Sequence, residues 1–185
     1  MTNPSPNTLM TFADAARLDA DETPGDLVEG TFVPVTKSTL RHGRVLINIG
    51  TILKLYSRSH PGWIAVGGDP GCKLSHDPDT LRGPDVALVR KEREPTGRGE
   101  EGWLEGAPDV VVEVFGDSQS VVELLRKAAE FLAAGAKLVW LVDPDRERVL
   151  ICTPGGFPRQ LGPDDVLDGG DVLPGFSCSV AEFFE

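Results

Sequence analysis

Two apolar runs that each begin with Pro-Asp decide the fold of this chain: Pro84-Asp85-Val86-Ala87-Leu88-Val89-Arg90 and Pro108-Asp109-Val110-Val111-Val112-Glu113-Val114-Phe115. Both runs are rich in β-branched residues and are bounded by glycine and proline, which predicts two strands. The stretch 120–134 predicts a helix, because its apolar residues recur at helical spacing. A further apolar run, 137–142, predicts a buried strand. Strand, helix and strand in this order predict a right-handed crossover between parallel strands.

A single carboxylate, Glu113, lies inside the second run between Val112 and Val114. Burying an unpaired charge is unfavourable by several kcal/mol unless another group compensates it. Because strands rise about 3.3 Å per residue, Asp109 lies roughly 13 Å from Glu113, too far to share a metal ion, and is predicted only to open the strand. Asp85, on the neighbouring strand, is the better partner. Two carboxylates that meet at a sheet predict a site for a hard cation that keeps several waters and binds phosphate.

Further motifs follow one another along most of the chain: Leu27-Val28-Glu29-Gly30, Arg41-His42-Gly43, Gly71, Leu81-Arg82-Gly83-Pro84-Asp85-Val86, Arg126-Lys127, Ala133-Ala134-Gly135, Leu138-Val139-Trp140-Leu141-Val142-Asp143-Pro144 and Leu173-Pro174-Gly175-Phe176. Together with Asp85 and Glu113 they resemble the PD-(D/E)XK nuclease superfamily, and more specifically its Uma family of restriction endonucleases. The resemblance implies an α/β fold with a mixed central β-sheet flanked by helices, a restriction-endonuclease-like core, and a small antiparallel C-terminal extension. It also implies Mg²⁺- or Mn²⁺-dependent hydrolysis of nucleic-acid phosphodiester bonds, with DNA as the expected substrate rather than RNA.

The resemblance also implies a lysine in the site. The superfamily usually places it two residues after the glutamate, about 6.6 Å along the same strand face, where this chain has Phe115. In the Uma-type pattern the lysine comes from the following helix, which indicates Lys127. Lys127 borders the apolar stripe of that helix, so its stem can lie along the sheet while its ammonium turns toward the carboxylates. The alternative is an exposed pair with Glu123, worth only about 0.3 to 0.5 kcal/mol.

The roles that the resemblance implies are as follows. Asp85 and Glu113 hold Mg²⁺ or Mn²⁺, with the backbone carbonyl of Val114 as a further ligand. The metal polarises the phosphoryl oxygen and lowers the pKa of a bound water. Lys127 orients that water or neutralises charge that develops on the phosphate.

Two residues depart from the family pattern. Gly116 stands where the family has serine, and Phe131 stands where it has tyrosine. The loss of both hydroxyls weakens the structural support that neighbouring groups give to the site. A catalytically inactive binding or dimerisation module is therefore one alternative. A hydrolase of a small phosphodiester is the other.

Four further polar residues are site candidates. Asp26 or Glu29 could supply a third carboxylate, although two exposed acids at a strand end are the simpler interpretation. His42 lies on the inward stripe of a predicted helix, where a lone histidine is more often a hydrogen-bonded core residue than a ligand. Asp69 stands near a position at which the family often has an acid.

The remaining pattern predicts the other elements by apolar spacing and turn residues. These are a capped helix over 11–18, a strand over 26–35 with a turn at Glu29-Gly30, the longest helix over 38–59, strands at 63–66 and 71–74, and antiparallel strands between 149 and 173 before a short helix from Ser179.

Length and cysteine content set the outer bounds. The chain has 185 residues, of which 40% are hydrophobic, and this predicts one domain spanning 1–185 with a loose tail at 1–10. Three scattered cysteines without CxxC spacing favour a reducing compartment. No secretory signal is visible in residues 1–9, and no apolar run approaches the roughly 20 residues that span a bilayer. We therefore expect a cytoplasmic protein without a membrane partner, and a homodimer is compatible with a nuclease core of this size.

The charge balance counts against a nucleic-acid partner. The chain carries 18 basic and 29 acidic residues, a formal net charge of -11, whereas affinity for phosphate backbones rests largely on Lys and Arg. A local basic patch still acts within a Debye length of about 8 to 10 Å. The net charge therefore does not exclude nucleic acid.

Overall fold

The computed structural model of the chain describes residues 9–20, 23–35, 37–116 and 119–185. Its α-helices are α1 (Phe12–Ala20), α2 (Leu40–Ser59) and α3 (Val121–Ala133). Its strands are β1 (Gly25–Val28), β2 (Thr31–Pro34), β3 (Trp63–Gly67), β4 (Cys72–Ser75), β5 (Thr80–Arg82), β6 (Val86–Arg90), β7 (Leu104–Glu105), β8 (Val110–Val114), β9 (Leu138–Asp143), β10 (Arg148–Cys152), β11 (Arg159–Leu161), β12 (Val166–Gly169) and β13 (Leu173–Ser179). Short 3₁₀ turns cover Lys91–Arg93, Gly99–Gly102 and Val180–Phe183. Most of the predicted loose tail, residues 1–8, lies outside the described residues.

A six-stranded sheet in the order β11-β10-β9-β8-β6-β3 forms the centre of the fold. Strands β8 and β9 pair in parallel, and every other neighbouring pair in this sheet is antiparallel. Helix α3 connects the two parallel strands, as the order of apolar runs predicted. The mixed central sheet is therefore confirmed.

The two longest helices cover opposite faces of this sheet. Val110, Val112 and Val114 share a buried cluster with the inward residues of α2. Val111 shares the other cluster with Leu124 and Phe131 of α3. Because side chains alternate along a strand, Glu113 projects to the α3 side.

A second sheet, in the order β2-β1-β5-β4-β7, packs at one end of the fold. The single strand predicted over 26–35 is instead a hairpin of β1 and β2. The chain reverses at Glu29 and Gly30, which have φ values of 46° and 73°, in the left-handed region that glycine adopts at little cost. The turn that the sequence indicated thus ends one strand and begins another.

The C-terminal part is antiparallel, as predicted. Strands β10 and β11 extend the central sheet, while β12 and β13 form a separate hairpin. Phe183, in the final 3₁₀ turn, is fully buried in the cluster beneath α2. Among the described residues, no helix is both long and apolar enough to cross a membrane.

Candidate functional site

Two adjacent strands bring Asp85 and Glu113 together. Strands β6 and β8 pair with Val86 opposite Val112, so Asp85, immediately before β6, lies beside the end of β8. Its Oδ2 accepts a hydrogen bond of 2.6 Å from the Val114 backbone N–H. The predicted pairing of the two Pro-Asp strands therefore places both carboxylates at one corner of the sheet.

Helix α3 directs Lys127 into this corner. The Lys127 Nζ lies 2.9 Å from Glu113 Oε2 and donates a hydrogen bond of 3.1 Å to the Gly83 carbonyl. Glu123, the predicted surface alternative, instead closes a capping box with Ser120 at the start of α3. The sequence left two interpretations of Lys127, an inward side chain and an exposed pair with Glu123, and the geometry agrees with the first.

Glu113 is a buried acid with one oxygen that has no partner. The residue is only 3% exposed, and its Oε1 finds no hydrogen-bond donor among the described residues. Burial raises the pKa of Glu113 above its ordinary value, the Lys127 ammonium opposes that shift, and the Asp85 charge adds to it. A polar atom of this kind has a strong unmet preference for a cation or a donor.

Lys127 stays charged despite its burial. Burial lowers the pKa of the ammonium, but Glu113 foremost, with Asp26 and Asp85, raises the pKa above its ordinary value. A fixed positive charge therefore lies beside the buried carboxyl.

His42, near the start of α2, reaches the same corner. Its Nε2 lies 3.4 Å from Asp85 Oδ1, and the contact with Asp85 raises the pKa of His42 against the opposing effect of burial. Its Nδ1 is buried without a hydrogen-bond partner among the described groups. The inward orientation predicted from the helical stripe is confirmed, and the side chain touches a proposed metal ligand.

Asp26 is not the exposed strand-end acid that the sequence favoured. Its side chain is only 15% exposed, because β1 lies against β5 and buries it beside Arg82. Its Oδ2 is 3.9 Å from the Lys127 Nζ. Asp26 therefore borders the site through Lys127.

The other two candidates occupy turns. Glu29 lies in the β1–β2 turn, and its N–H donates to the Thr80 hydroxyl; no contact among the described residues joins it to Asp85 or Glu113. Asp69 has a φ of 55°, and burial foremost, with the Asp85 charge, raises its pKa. Asp69 therefore lies close enough to the site for the Asp85 charge to act on its carboxyl group.

Sequence reasoning missed Arg82 and Glu130. Arg82 is 5% exposed; its Nη1 donates to Asp26 Oδ2 at 2.8 Å, and its Nε and Nη2 donate to Glu130 Oε2 at 2.9 and 2.6 Å. The position of Arg82 in the Leu81-Arg82-Gly83 motif was a signal, and so was that of Glu130, three residues after Lys127. Their pairing depends on how α3 packs against the sheet, which the spacing alone does not indicate.

The oxygen atoms at this corner suit a hard divalent cation that takes few ligands from the protein and completes its coordination with water. Within the described ranges, no three acidic, histidine or cysteine side chains form a ready-made metal cluster. Asp85 and the partnerless Glu113 oxygen could provide carboxylate ligands, and Mg²⁺ commonly binds through one or two carboxylates while it keeps several waters. The residues present are therefore compatible with Mg²⁺ or Mn²⁺.

Comparisons with known proteins identify the family and the fold of the chain. The sequence profile of the Uma2 family, described as "Putative restriction endonuclease", matches residues 12–181. A crystal structure of a "putative nuclease belonging to DUF820" from Anabaena variabilis superposes with a TM-score of 0.80 at 18% identity, over 95% of this chain and 97% of that one. No curated protein sequence matches significantly. The structural likeness shows the fold, and the profile match confirms the family resemblance found in the motifs.

Proposed function

The chain belongs to the Uma2 family. From this membership we propose that it is a metal-dependent endonuclease that hydrolyses phosphodiester bonds in nucleic acid, with DNA as the expected substrate rather than RNA. The observation that supports this most is the Glu113 carboxyl group. One of its oxygens lies 2.9 Å from the Lys127 ammonium, and the other is buried without a partner. Asp85 lies immediately before the adjacent strand, β6, and its Oδ2 accepts from the Val114 N–H at 2.6 Å.

Each residue has a distinct task in this proposal. Asp85 and Glu113 hold Mg²⁺ or Mn²⁺, with the Val114 carbonyl as a further ligand. The cation supplies Lewis-acid polarisation of the phosphoryl oxygen and a more acidic bound water. Lys127 places its ammonium where negative charge develops on the phosphate. The contact from His42 steadies Asp85 at 3.4 Å.

The charge balance favours a second candidate, a hydrolase of a small phosphodiester. A net charge of -11 repels long polyanions, whose binding depends on many cationic contacts. A small substrate needs only the cation and Lys127. This candidate predicts metal binding without affinity for long nucleic acid, whereas an inactive module predicts no metal binding.

Titration calorimetry with Mn²⁺ and Mg²⁺ tests the metal site without any assumption about the substrate. We expect the wild type to bind, and Asp85→Ala and Glu113→Ala each to lose binding. Asp164→Ala, which removes an exposed acid outside the proposed site, is the matched control and should bind like the wild type. Absence of binding by the wild type, or equal binding by all four proteins, contradicts the proposal.

A cleavage assay then separates the substrates. Labelled duplex DNA, single-stranded DNA, RNA and bis(p-nitrophenyl) phosphate are incubated with Mn²⁺ and each of the four proteins. Cleavage of a polymer that depends on Asp85 and Glu113 supports the endonuclease. Hydrolysis of the small diester alone supports the second candidate.

A further inference from the structure

We propose that Arg82 is a positioning residue: by neutralising Asp26, it keeps the Lys127 ammonium on Glu113. The inference rests on the proposed function of the same site, because Lys127 acts there. Arg82 itself touches neither Asp85 nor Glu113 in the contacts of the described residues. Its effect would pass through Asp26, which lies 3.9 Å from the Lys127 Nζ.

Arg82 joins two elements that flank the site. From the end of β5, its guanidinium contacts Asp26 on β1 at 2.8 Å and Glu130 on α3 at 2.6 Å. Glu130 lies three residues after Lys127, on the same side of the helix. The contact with Glu130 therefore holds the guanidinium beside Lys127, while its Nη1 remains on Asp26.

Two acids compete for the Lys127 ammonium. Its Nζ lies 2.9 Å from Glu113 Oε2 and 3.9 Å from Asp26 Oδ2. Asp26 is already compensated, because Oδ2 accepts from Arg82 at 2.8 Å and Oδ1 accepts from the Gly83 N–H at 3.3 Å. The Lys127 ammonium therefore pairs with Glu113 rather than with Asp26.

Removal of the Arg82 charge reverses this balance. Asp26, with a side chain only 15% exposed, would keep a buried negative charge without its cation, which is strongly unfavourable. Among the cations that contact it, Lys127 is then the one that remains. A shift of about 1 Å brings the ammonium into hydrogen-bonding distance of Asp26. We expect the same shift to lengthen the contact with Glu113, which is 2.9 Å in the wild type.

A purely structural ion pair makes a different prediction. If Arg82 only stabilised the packing of β1 and α3, its loss would lower stability and leave Lys127 on Glu113. Neutralising Asp26 as well would then not restore any property of the site. The two possibilities therefore differ in the position of one ammonium group.

Crystal structures of Arg82→Gln and of Arg82→Gln with Asp26→Asn provide the direct test. In the single variant we expect Lys127 Nζ within about 3.2 Å of Asp26 and beyond that distance from Glu113. In the double variant, the lysine should return to Glu113. Arg93→Gln, which removes an ion pair to Asp109 at the other end of β8, is the matched control and should leave Lys127 in place.

Single-turnover cleavage with Mn²⁺ gives the functional readout. Arg82→Gln should cleave about 10- to 100-fold more slowly, because a displacement of about 1 Å has that effect on a catalytic group. The substrate Kd should stay within about twofold of the wild-type value. Asp26→Asn should restore most of the rate in the Arg82→Gln background.

The outcomes separate this inference from the proposed function. If Lys127 remains on Glu113 in Arg82→Gln, or fails to return in the double variant, the inference is overturned even where the wild type cleaves. If the wild type does not cleave, the proposed function fails, and the lysine position still decides the inference. Should Arg82→Gln not fold, Arg82→Gln with Glu130→Gln leaves only Asp26 uncompensated and must show the same displacement.

Discussion

At the scale of single residues, the candidate site depends on one buried ion pair. Lys127 and Glu113 approach to 2.9 Å, with side chains only 14% and 4% exposed. A charge at this depth is retained only when a partner and hydrogen bonds compensate its desolvation. The pair therefore compensates the charge of an acid inside an apolar strand, and in the proposed mechanism the same ammonium would face the phosphate of the substrate.

Lys127→Met should abolish most activity while it preserves the shape of the side chain. The variant keeps the apolar stem and removes the ammonium, so we expect metal-dependent cleavage to fall about 10²- to 10³-fold. The measurement is a single-turnover rate at saturating Mn²⁺. Lys137→Met removes another close lysine–carboxylate pair, 2.7 Å from Asp109, and should cleave at the wild-type rate. Equal loss in both variants would assign the effect of Lys127 to folding.

How far sequence reasoning reached is clearest for Glu113 and Arg82. The cost of a lone acid in an apolar run identified Glu113, and the rise of about 3.3 Å per residue along the strand excluded Asp109 as its partner. The pairing of Arg82 with Asp26 has no such local signal, because 55 intervening residues separate them and the pairing of β1 with β5 brings them together. Long-range burial of this kind has no signature in periodicity.

At the scale of elements, Asp109 ties the start of β8 to its surroundings. It accepts hydrogen bonds from the Lys137 ammonium at 2.7 Å, from the Arg93 guanidinium at 3.2 Å and from the Arg90 backbone N–H at 3.2 Å. Burial raises the pKa of Asp109, but these groups together hold the pKa below its ordinary value. The residue predicted to open the strand thus anchors it.

Asp109→Asn should lower stability in a pH-dependent way. Because the folded-state pKa is depressed, the stabilisation is present above the unfolded-state pKa of about 3.9 and is lost as the pH falls through the folded-state value. We expect a loss of about 2 kcal/mol at pH 7, typical of hydrogen bonds to a charged group. Urea unfolding at pH 7, 4 and 3 should show the difference from wild type shrinking at the acidic end. A constant difference, or an equal effect of Asp164→Asn, would contradict this account.

The turn before β4 packs closely on the loop that carries Asp85. A Cβ at Gly83 would lie 2.7 Å from the Cβ of Asp69 and 2.8 Å from its backbone, so the turn would have to move. Gly83→Ala should therefore destabilise by about 1 to 3 kcal/mol. Gly50→Ala makes the same change in α2, where a Cβ meets nothing within 4 Å, and should stabilise by about 0.5 to 1 kcal/mol. Thermal unfolding that shifts both variants in the same direction would refute the packing argument.

Apolar periodicity predicted the elements of the central sheet better than those of the smaller one. Helices α2 and α3 carry one buried stripe each, and β8 and β9 are continuous apolar runs, so their patterns are strong. Strands β1 and β2 are four residues each with partly exposed side chains, and alternation across Glu29-Gly30 looks continuous. The separation of β1 from β2 depends on the positive φ angles of Glu29 and Gly30.

At the scale of the whole molecule, the excess of acidic residues and the proposed substrate pull in opposite directions. A protein with a net charge of -11 repels a polyanion at long range. Asp26, Asp69, Asp85 and Glu113 add negative charge at the site itself, where Lys127 alone among the lysines contacts Glu113 in the described contacts. A divalent cation would therefore serve binding as well as chemistry, because it reverses the local charge.

This balance predicts that affinity for duplex DNA depends on a divalent cation held by Asp85. We expect weak binding in EDTA and at least about tenfold tighter binding with Ca²⁺, a change of about 1.4 kcal/mol. Fluorescence anisotropy of a labelled duplex at constant ionic strength measures it, since added salt alone would weaken phosphate contacts. Asp85→Ala should lose the Ca²⁺ enhancement, and Asp164→Ala should keep it. If the wild type binds DNA equally in EDTA, the affinity comes from a basic surface elsewhere on the molecule, and the charge reversal at Asp85 has no part in recognition.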